Sequence, residues 1–459
     1  MGLNDRGDPV ANSSRWIKLI ACVVAMMAIA NLQYAFTLFT ESLTRSLNAS
    51  LPQVSFGFSL FVIAQTALVP ITGYLVDKFG PRIIVSIAGL FVGASWIWAG
   101  LGHSLAELYI ANVIGGIGAG AVYGSTIGIA LKWFPDRRGL CSGLVAGSFG
   151  FGTALTFLPI TWMINSSGYR AAFITFGLIQ GVVVIAAAPF MTMPPAGWIL
   201  EGWEIAKLKL QAKVPQSSRN YTPREMLKTS SFYVLYTMMA LVAFSGLMFA
   251  AQLQPIAKTY SLDSYVMLGG LTAFNLAMLL DRTMNGLARP FFGWISDYIG
   301  RYETMALAFT LEGLAIAALS LLVETPIWFV LLTGLIFFAW GDIYSLFPSA
   351  IADIYGPKYA TTNYGIQYTS KGLASLLAGP GAAFLKAASD SWLPVMWIMA
   401  ACNLLAAIMA IFWMKPMVKR LLKLNAMTAT EEAGSDIIET MARDVTGEGL
   451  APAVAHEQP

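Results

Sequence analysis

GYLVDKFGPR at residues 73–82 and GWISDYIGRY at residues 293–302 are one loop written twice. Gly73, Asp77 and Gly80 recur as Gly293, Asp297 and Gly300, each displaced by 220 positions. Each copy follows an apolar run long enough to cross a bilayer, which takes about 20 residues. A second match, GAVYG (120–124) against GDIYS (341–345), sets Tyr123 over Tyr344. Parallel repeats on this scale predict two helical bundles with a substrate site between them near the membrane midplane.

Outward from these loops, apolar runs occupy 16–38, 54–76, 83–101, 105–131, 140–164 and 170–193. A second set lies at 231–256, 265–296, 304–323, 326–352, 363–388 and 391–414. Period-two alternation is absent, so the runs read as helices rather than barrel strands. The expected fold is an all-α membrane protein of twelve transmembrane helices in two six-helix bundles, 16–194 and 230–415. Residues 1–15 form a cytoplasmic N-terminus in this reading, polar 195–229 a cytoplasmic linker, and 416–459 a cytoplasmic, disordered tail that turns acidic beyond Lys423. The run after Arg15 and Lys18 continues past Phe36, too long for the core of a signal peptide. Basic residues set the orientation. With both termini inside, the linker's Lys207, Lys209, Lys213, Arg219, Arg224 and Lys228 are cytoplasmic, whereas the outer loops hold only Arg45, Arg170, Lys258 and Lys386.

Composition narrows the function classes. The 459 residues are 57% hydrophobic and 12% charged, about half the charge of a soluble domain. A net charge of +3 is too small to suggest nucleic acid. Cys22, Cys141 and Cys402 all fall in or beside apolar runs, and His103 and His456 lie in a short loop and the tail. Neither a metal site, a disulfide framework nor a histidine general base is indicated. A membrane-embedded enzyme or sensor therefore lacks support, and no cofactor is expected.

Three basic residues sit inside the spans: Arg282, Arg289 and Lys371. Charges at bilayer depth are costly and mark pathways or sites. Arg282 and Arg289 are seven residues apart, two turns, and share a helix face. Asp281 is adjacent to Arg282 and available to neutralise it. Arg289 and Lys371 have no acid three or four residues away, the reachable spacings. Asp342 and Glu312 are the acids that could pair with them across helices, and Glu312 belongs to a peripheral span. One or two positive charges then remain for an anion. Tyr123, Trp340, Tyr344 and the adjacent Gln33 and Tyr34 carry polar ends that need partners in mid-membrane. Rings around a cationic pocket suit a small, planar anion. Gly116, Gly120, Gly124 and Gly128, every fourth residue, read as a close-packing stripe rather than a dinucleotide loop, as do Gly143 and Gly147.

The loop GYLVDKFGPR with its echo resembles the signature of the major facilitator superfamily, over about residues 10–415. That resemblance implies two bundles rocking about a central site, with Gly73, Asp77, Arg82, Gly293, Asp297 and Arg301 forming the cytoplasmic gating loops. NGLARPFFGWISDYIGRY, FFAWGDIYSLFPS, NYGIQYTSKG and WFPDRRGLCSG are together similar to the oxalate:formate antiporter branch. The branch implies Arg289 and Lys371 as substrate-binding bases, with Gln33, Tyr34, Tyr123, Trp340 and Tyr344 as pocket residues. Asp342, Asp281 and Arg282 depart from members that lack charge there and would tune the pocket. The implied activity is antiport of oxalate for formate, without ATP, by a monomer in a bacterial inner membrane. The alternative is a proton-coupled monocarboxylate carrier of the same fold, with Asp342 or Glu312 as the proton site.

Overall fold

The computed structural model describes residues 14–195, 198, 214–217 and 219–427. Among them the chain is almost wholly helical, with a single isolated bridge between Val266 and Thr272. The first half consists of Ser14–Tyr34, a bent pair Leu51–Ala67 and Val69–Phe79, then Pro81–Leu101, Leu105–Trp133 and Arg138–Ala187. The last of these holds two spans, because Gly168 at φ 84° breaks the helix where the sequence predicts a connecting loop. The second half runs Ser230–Thr259, Ala273–Ile299, Arg301–Leu322, the pair Pro326–Trp340 and Ile343–Tyr355, Ala360–Ser389 and Leu393–Met409.

Eight of the described helices are long and apolar enough to cross a membrane, and the bent second span makes a ninth. Dividing Arg138–Ala187 at Gly168 gives a tenth. The remaining two, Ala273–Ile299 and Ala360–Ser389, are as long but more polar, and they are the helices that carry Arg282, Arg289 and Lys371.

Several boundaries move. The first helix ends at Tyr34, followed by a tight turn, Phe36–Leu38, and the short helix Thr40–Ser46. Gln33 and Tyr34 therefore stand at a helix end rather than in mid-helix. The predicted eighth span, 265–296, begins only at Ala273, because Gly269 and Gly270 take positive φ (62° and 79°) and turn the apolar stretch before it. The tenth is broken at Gly341–Asp342. The twelfth continues through a wide turn, Ala410–Met414, and stays helical to Met427, past the predicted boundary at 415. Its extension is held by Lys415 pairing with Glu303 (2.7 Å) and by Asn425, which accepts from the Tyr221 hydroxyl at 2.6 Å. The predicted linker lies partly outside the described residues. Its later portion follows the tenth span's end, with Ser217 and Tyr221 donating backbone bonds to the carbonyls of Asp353 and Tyr355. The predicted tail beyond Met427 and nearly all of 1–15 also lie outside.

Glycine rows set the packing, as in membrane bundles where small residues let backbones approach. A side-chain carbon at Gly116 or Gly120 would fall 2.5 or 2.6 Å from the carbonyl oxygens of Phe61 and Gln65 on the second span. Gly128 abuts the Thr361 side chain of the other half, so the stripe packs one bundle internally and then reaches across the seam.

Candidate substrate site and the latches around it

Lys371 and Arg289 come together over one ring. The Arg289 guanidinium lies 4.4 Å and the Lys371 ammonium 5.2 Å from the centroid of Tyr344. The two charges are thus separated by no more than the sum of those distances, under 10 Å. Both are buried, at 2% and 6% exposure. Lys371 donates to the Tyr368 hydroxyl at 3.0 Å, one turn away on its own helix. Arg289 donates to the Ala146 carbonyl across the seam (2.5 Å) and to Asn285 Oδ1 (3.0 Å), leaving Nε without a partner. Neither forms an ion pair among the described residues.

The aromatic groups close around these bases. Tyr34 lies within electrostatic reach of Arg289, Lys371 and Arg282, and packs edge-on against Phe149 at 5.2 Å. Tyr123 stacks on Tyr368 with centroids 5.1 Å apart, its hydroxyl buried and unpartnered. Trp340 meets Tyr344 edge-to-face at 5.9 Å, and its indole Nε1 is also unpartnered. Gly246 makes room for that indole, since a side-chain carbon there would fall 2.1 Å from Nε1. Gln33 is half-buried and adds no hydrogen bond to the cluster. Buried hydroxyl and indole groups without partners are costly, and several of them converge on the two bases.

The predicted charge pairing does not form. Asp281 and Arg282 are adjacent, but successive residues of a helix point 100° apart. Asp281 is 1% exposed and turned into its own bundle, toward Thr333, with neither oxygen hydrogen-bonded. Arg282 is exposed and lies over the Tyr34 ring of the other half at 5.6 Å. Asp342 and Glu312 are fully buried and form no ion pair with either base among the described residues. Ser245 and Asn403 flank Glu312.

The sequence reading missed Tyr368 and Asn285. Asn285 holds Arg289 and also donates to the Phe337 carbonyl at 3.0 Å, tying the eighth span to the broken tenth. Spacing could have found both: Asn285 lies four residues before Arg289 and Tyr368 three before Lys371.

At one end of the molecule the repeated loops lock the halves to each other. Asp77 accepts from Lys132 (2.7 Å) and, through its second oxygen, from the Thr362 amide (3.0 Å) and hydroxyl (2.7 Å). It thereby caps the start of the eleventh span in the other half, a position where amides are unsatisfied. Asp297 does the reciprocal, accepting from the Gly139 and Leu140 amides (both 3.0 Å) at the start of the fifth span. Gly80 and Gly300, at φ 81° and 109°, make the turns that follow, a region closed to most side chains. Gly73 and Gly293 lie against Thr361 and Gly139, too close for any side chain. The arginines of the two copies diverge. Arg301 is buried and pairs with Asp297 (2.6 Å) and Asp353 (2.9 Å), and Asp353 also binds Arg138 (2.5 Å). Arg82 donates to the Pro189 carbonyl of its own half at 3.0 Å.

Two repeated halves, latched to each other at one end and holding a buried pair of bases at their seam, define a membrane carrier. The Major Facilitator Superfamily profile matches residues 20–285 and 235–445, and the chain belongs to that family. It is 35% identical over 418 residues to an oxalate:formate antiporter of Oxalobacter formigenes, across 90% of this chain and 95% of that protein. Monocarboxylate transporter 2 of Mesocricetus auratus is more distant, 24% identical over 376 residues, covering 76% of this chain and 74% of that one. The solved proton:xylose symporter XylE shares the fold, with a TM-score of 0.65 at 15% identity over 88% of this chain and 96% of its own.

Proposed function

We propose that this protein is a secondary antiporter that exchanges oxalate for formate by alternating access, in a bacterial inner membrane with both termini cytoplasmic. The observation that carries the reading is the pair Arg289 and Lys371 over Tyr344, two buried bases without an acid partner among the described residues. Like charges at such separation repel by about 2 kcal/mol at an effective dielectric near 20, and sealing them from water costs several kcal/mol more. An empty carrier then closes reluctantly, whereas a dianion offsets both charges. Formate offsets one and is small enough to enter with the other base still hydrated. Such a carrier moves loaded and stalls empty, which is exchange rather than uniport. Oxalate entering as formate leaves carries net negative charge inward.

Purified protein in liposomes tests the proposal by counterflow of labelled oxalate against a panel of mono- and dicarboxylates. Exchange of oxalate and formate that persists with proton uncouplers is the expected result. Uptake of monocarboxylates that collapses with uncouplers would favour the proton-coupled alternative, for which Asp342 or Glu312, both fully buried, is the candidate proton site.

The pocket rings give a second expectation. Trp340→Ala removes an indole that fills the space over Gly246, so oxalate exchange should weaken while longer acids such as malonate gain access. Unchanged selectivity in Tyr123→Ala, Trp340→Ala and Tyr344→Ala together would mean that these rings only pack. For topology, a reporter fused after Met427 is expected to score as cytoplasmic, and a periplasmic score would invert the assignment drawn from the basic loops.

A further inference from the structure

The seam carries a third base that the two-base clamp does not use. On the eighth span Asn275, Arg282 and Arg289 recur every seven residues, so they form one row, two turns apart at each step. The row becomes more buried with depth: Asn275 and Arg282 are exposed, and Arg289 is 2% exposed. The outward-facing apolar stripe of the same helix is a different one, Leu279, Leu287, Phe291 and Trp294, each more than 40% exposed. Arg282 is not on that stripe. Its guanidinium lies 5.6 Å from the ring centroid of Tyr34, which belongs to the other half, so it faces the seam. Tyr34 in turn lies within electrostatic reach of Arg289 and Lys371.

Toward the loop end the helices flanking the seam are in close contact. A side-chain carbon at Gly143 would meet the Arg289 carbonyl at 2.3 Å, and one at Gly147 the Gly286 carbonyl at 3.0 Å. Three turns beyond Gly147 on the same face, Leu158 is 73% exposed. Arg282, which is exposed, stands about 11 Å along the helix from Arg289, toward the end opposite the repeat loops. It has no ion pair or hydrogen bond among the described residues. Asp281 does not compensate it, being turned into its own bundle with both oxygens unpartnered.

We propose that Arg282, seated on Tyr34, is a docking site for small carboxylate anions on their way to the Arg289–Lys371 clamp from the end opposite the repeat loops. The proposal deepens the antiport reading and rests on it. A single exposed guanidinium beside the seam concentrates anions and raises their rate of arrival. Being partly hydrated, it releases them more readily than the buried pair. Tyr34, shared by all three bases, then spans the step from Arg282 to the clamp.

Two measurements decide it. In oriented liposomes Arg282→Gln should raise the KM for oxalate added at the end opposite the loops by about tenfold, with kcat kept within about twofold. The ionic-strength dependence of kcat/KM should flatten at the same time, because long-range attraction is what salt screens. Arg282→Lys should restore both. Wild-type exchange together with an unchanged KM and salt dependence in Arg282→Gln would overturn the docking role. The second measurement needs no transport: Arg282→Cys should react with a membrane-impermeant thiol reagent applied at that end. A cysteine that stays unmodified would remove Arg282 from the aqueous route and overturn the proposal. A reactive cysteine in a carrier that moves no oxalate would uphold its placement and count instead against the antiport reading.

Discussion

Lys371→Gln protein is expected to fold, reach the membrane and fail to bind oxalate tightly. The substitution removes one charge while roughly preserving bulk. Among the described residues, the lysine's hydrogen bond goes to the Tyr368 hydroxyl, so no acid is stranded by the change. Losing one charge-assisted contact to a dianion costs on the order of 2–3 kcal/mol, a rise in Kd of roughly 30- to 150-fold. Recognition of a monocarboxylate through Arg289 should partly survive. Lys371→Arg should also be damaging, because a guanidinium is a broad fork where an ammonium is a point charge, and Tyr344 and Tyr368 lie within about 5 Å of the ammonium. Arg289 offers a less clean test, since it also bonds Ala146 and Asn285 and its removal disturbs the seam. If Lys371 were instead the structural partner of Asp342, Lys371→Gln would destabilise the protein and adding Asp342→Asn would rescue exchange. The two side chains form no ion pair, so no rescue is expected. Binding of oxalate by purified variants, followed by tryptophan fluorescence alongside thermal unfolding, separates the two accounts; rescue by the double change would refute the clamp.

Two levels of the architecture differ in how openly the sequence carries them. The repeat loops and the apolar runs are written in local pattern: Gly73, Asp77 and Gly80 repeat at a fixed distance, and bilayer thickness sets run length. Breaks within spans are less visible, because a helix interrupted at Gly341–Asp342 or after Tyr34 keeps its apolar composition. The same applies in reverse at 265–272, where composition suggests helix but Gly269 and Gly270 turn the chain. Charges could be located but not paired. Sequence neighbours Asp281 and Arg282 look like a neutral pair, yet helix geometry sends one into its own bundle and the other into the seam. Pairings between halves, such as Arg138 with Asp353 or Asp297 with the Gly139 amide, join positions over 150 residues apart. No spacing rule reaches that far. They depend on how two finished bundles meet.

The Arg138–Asp353–Arg301 junction is where that meeting is most exposed to a single change. Asp353 is 2% exposed and accepts from Arg138 of one half and Arg301 of the other, both also buried. Arg301 is in turn bound to Asp297, whose carboxylate caps the fifth span. Asp353→Asn keeps the shape and removes the charge, leaving two buried guanidinium groups to share what Asp297 can supply. Removing one partner of a buried pair costs about 3–5 kcal/mol. A conformer with the latch open returns both arginines to water and escapes most of that cost. The closed-to-open equilibrium at the loop end should therefore move toward open by roughly 10²- to 10³-fold, since each 1.4 kcal/mol is a factor of ten. Spin labels on cysteines replacing Lys78 and Lys358, exposed residues on opposite sides of the seam, read this as a longer distance population in Asp353→Asn than in the unchanged carrier. Exchange should slow while oxalate affinity at the clamp is retained, because the latch residues do not touch Tyr344, Arg289 or Lys371. A distance distribution identical to that of the unchanged carrier, in folded protein, would show that the junction only packs the loop end and does not hold it shut.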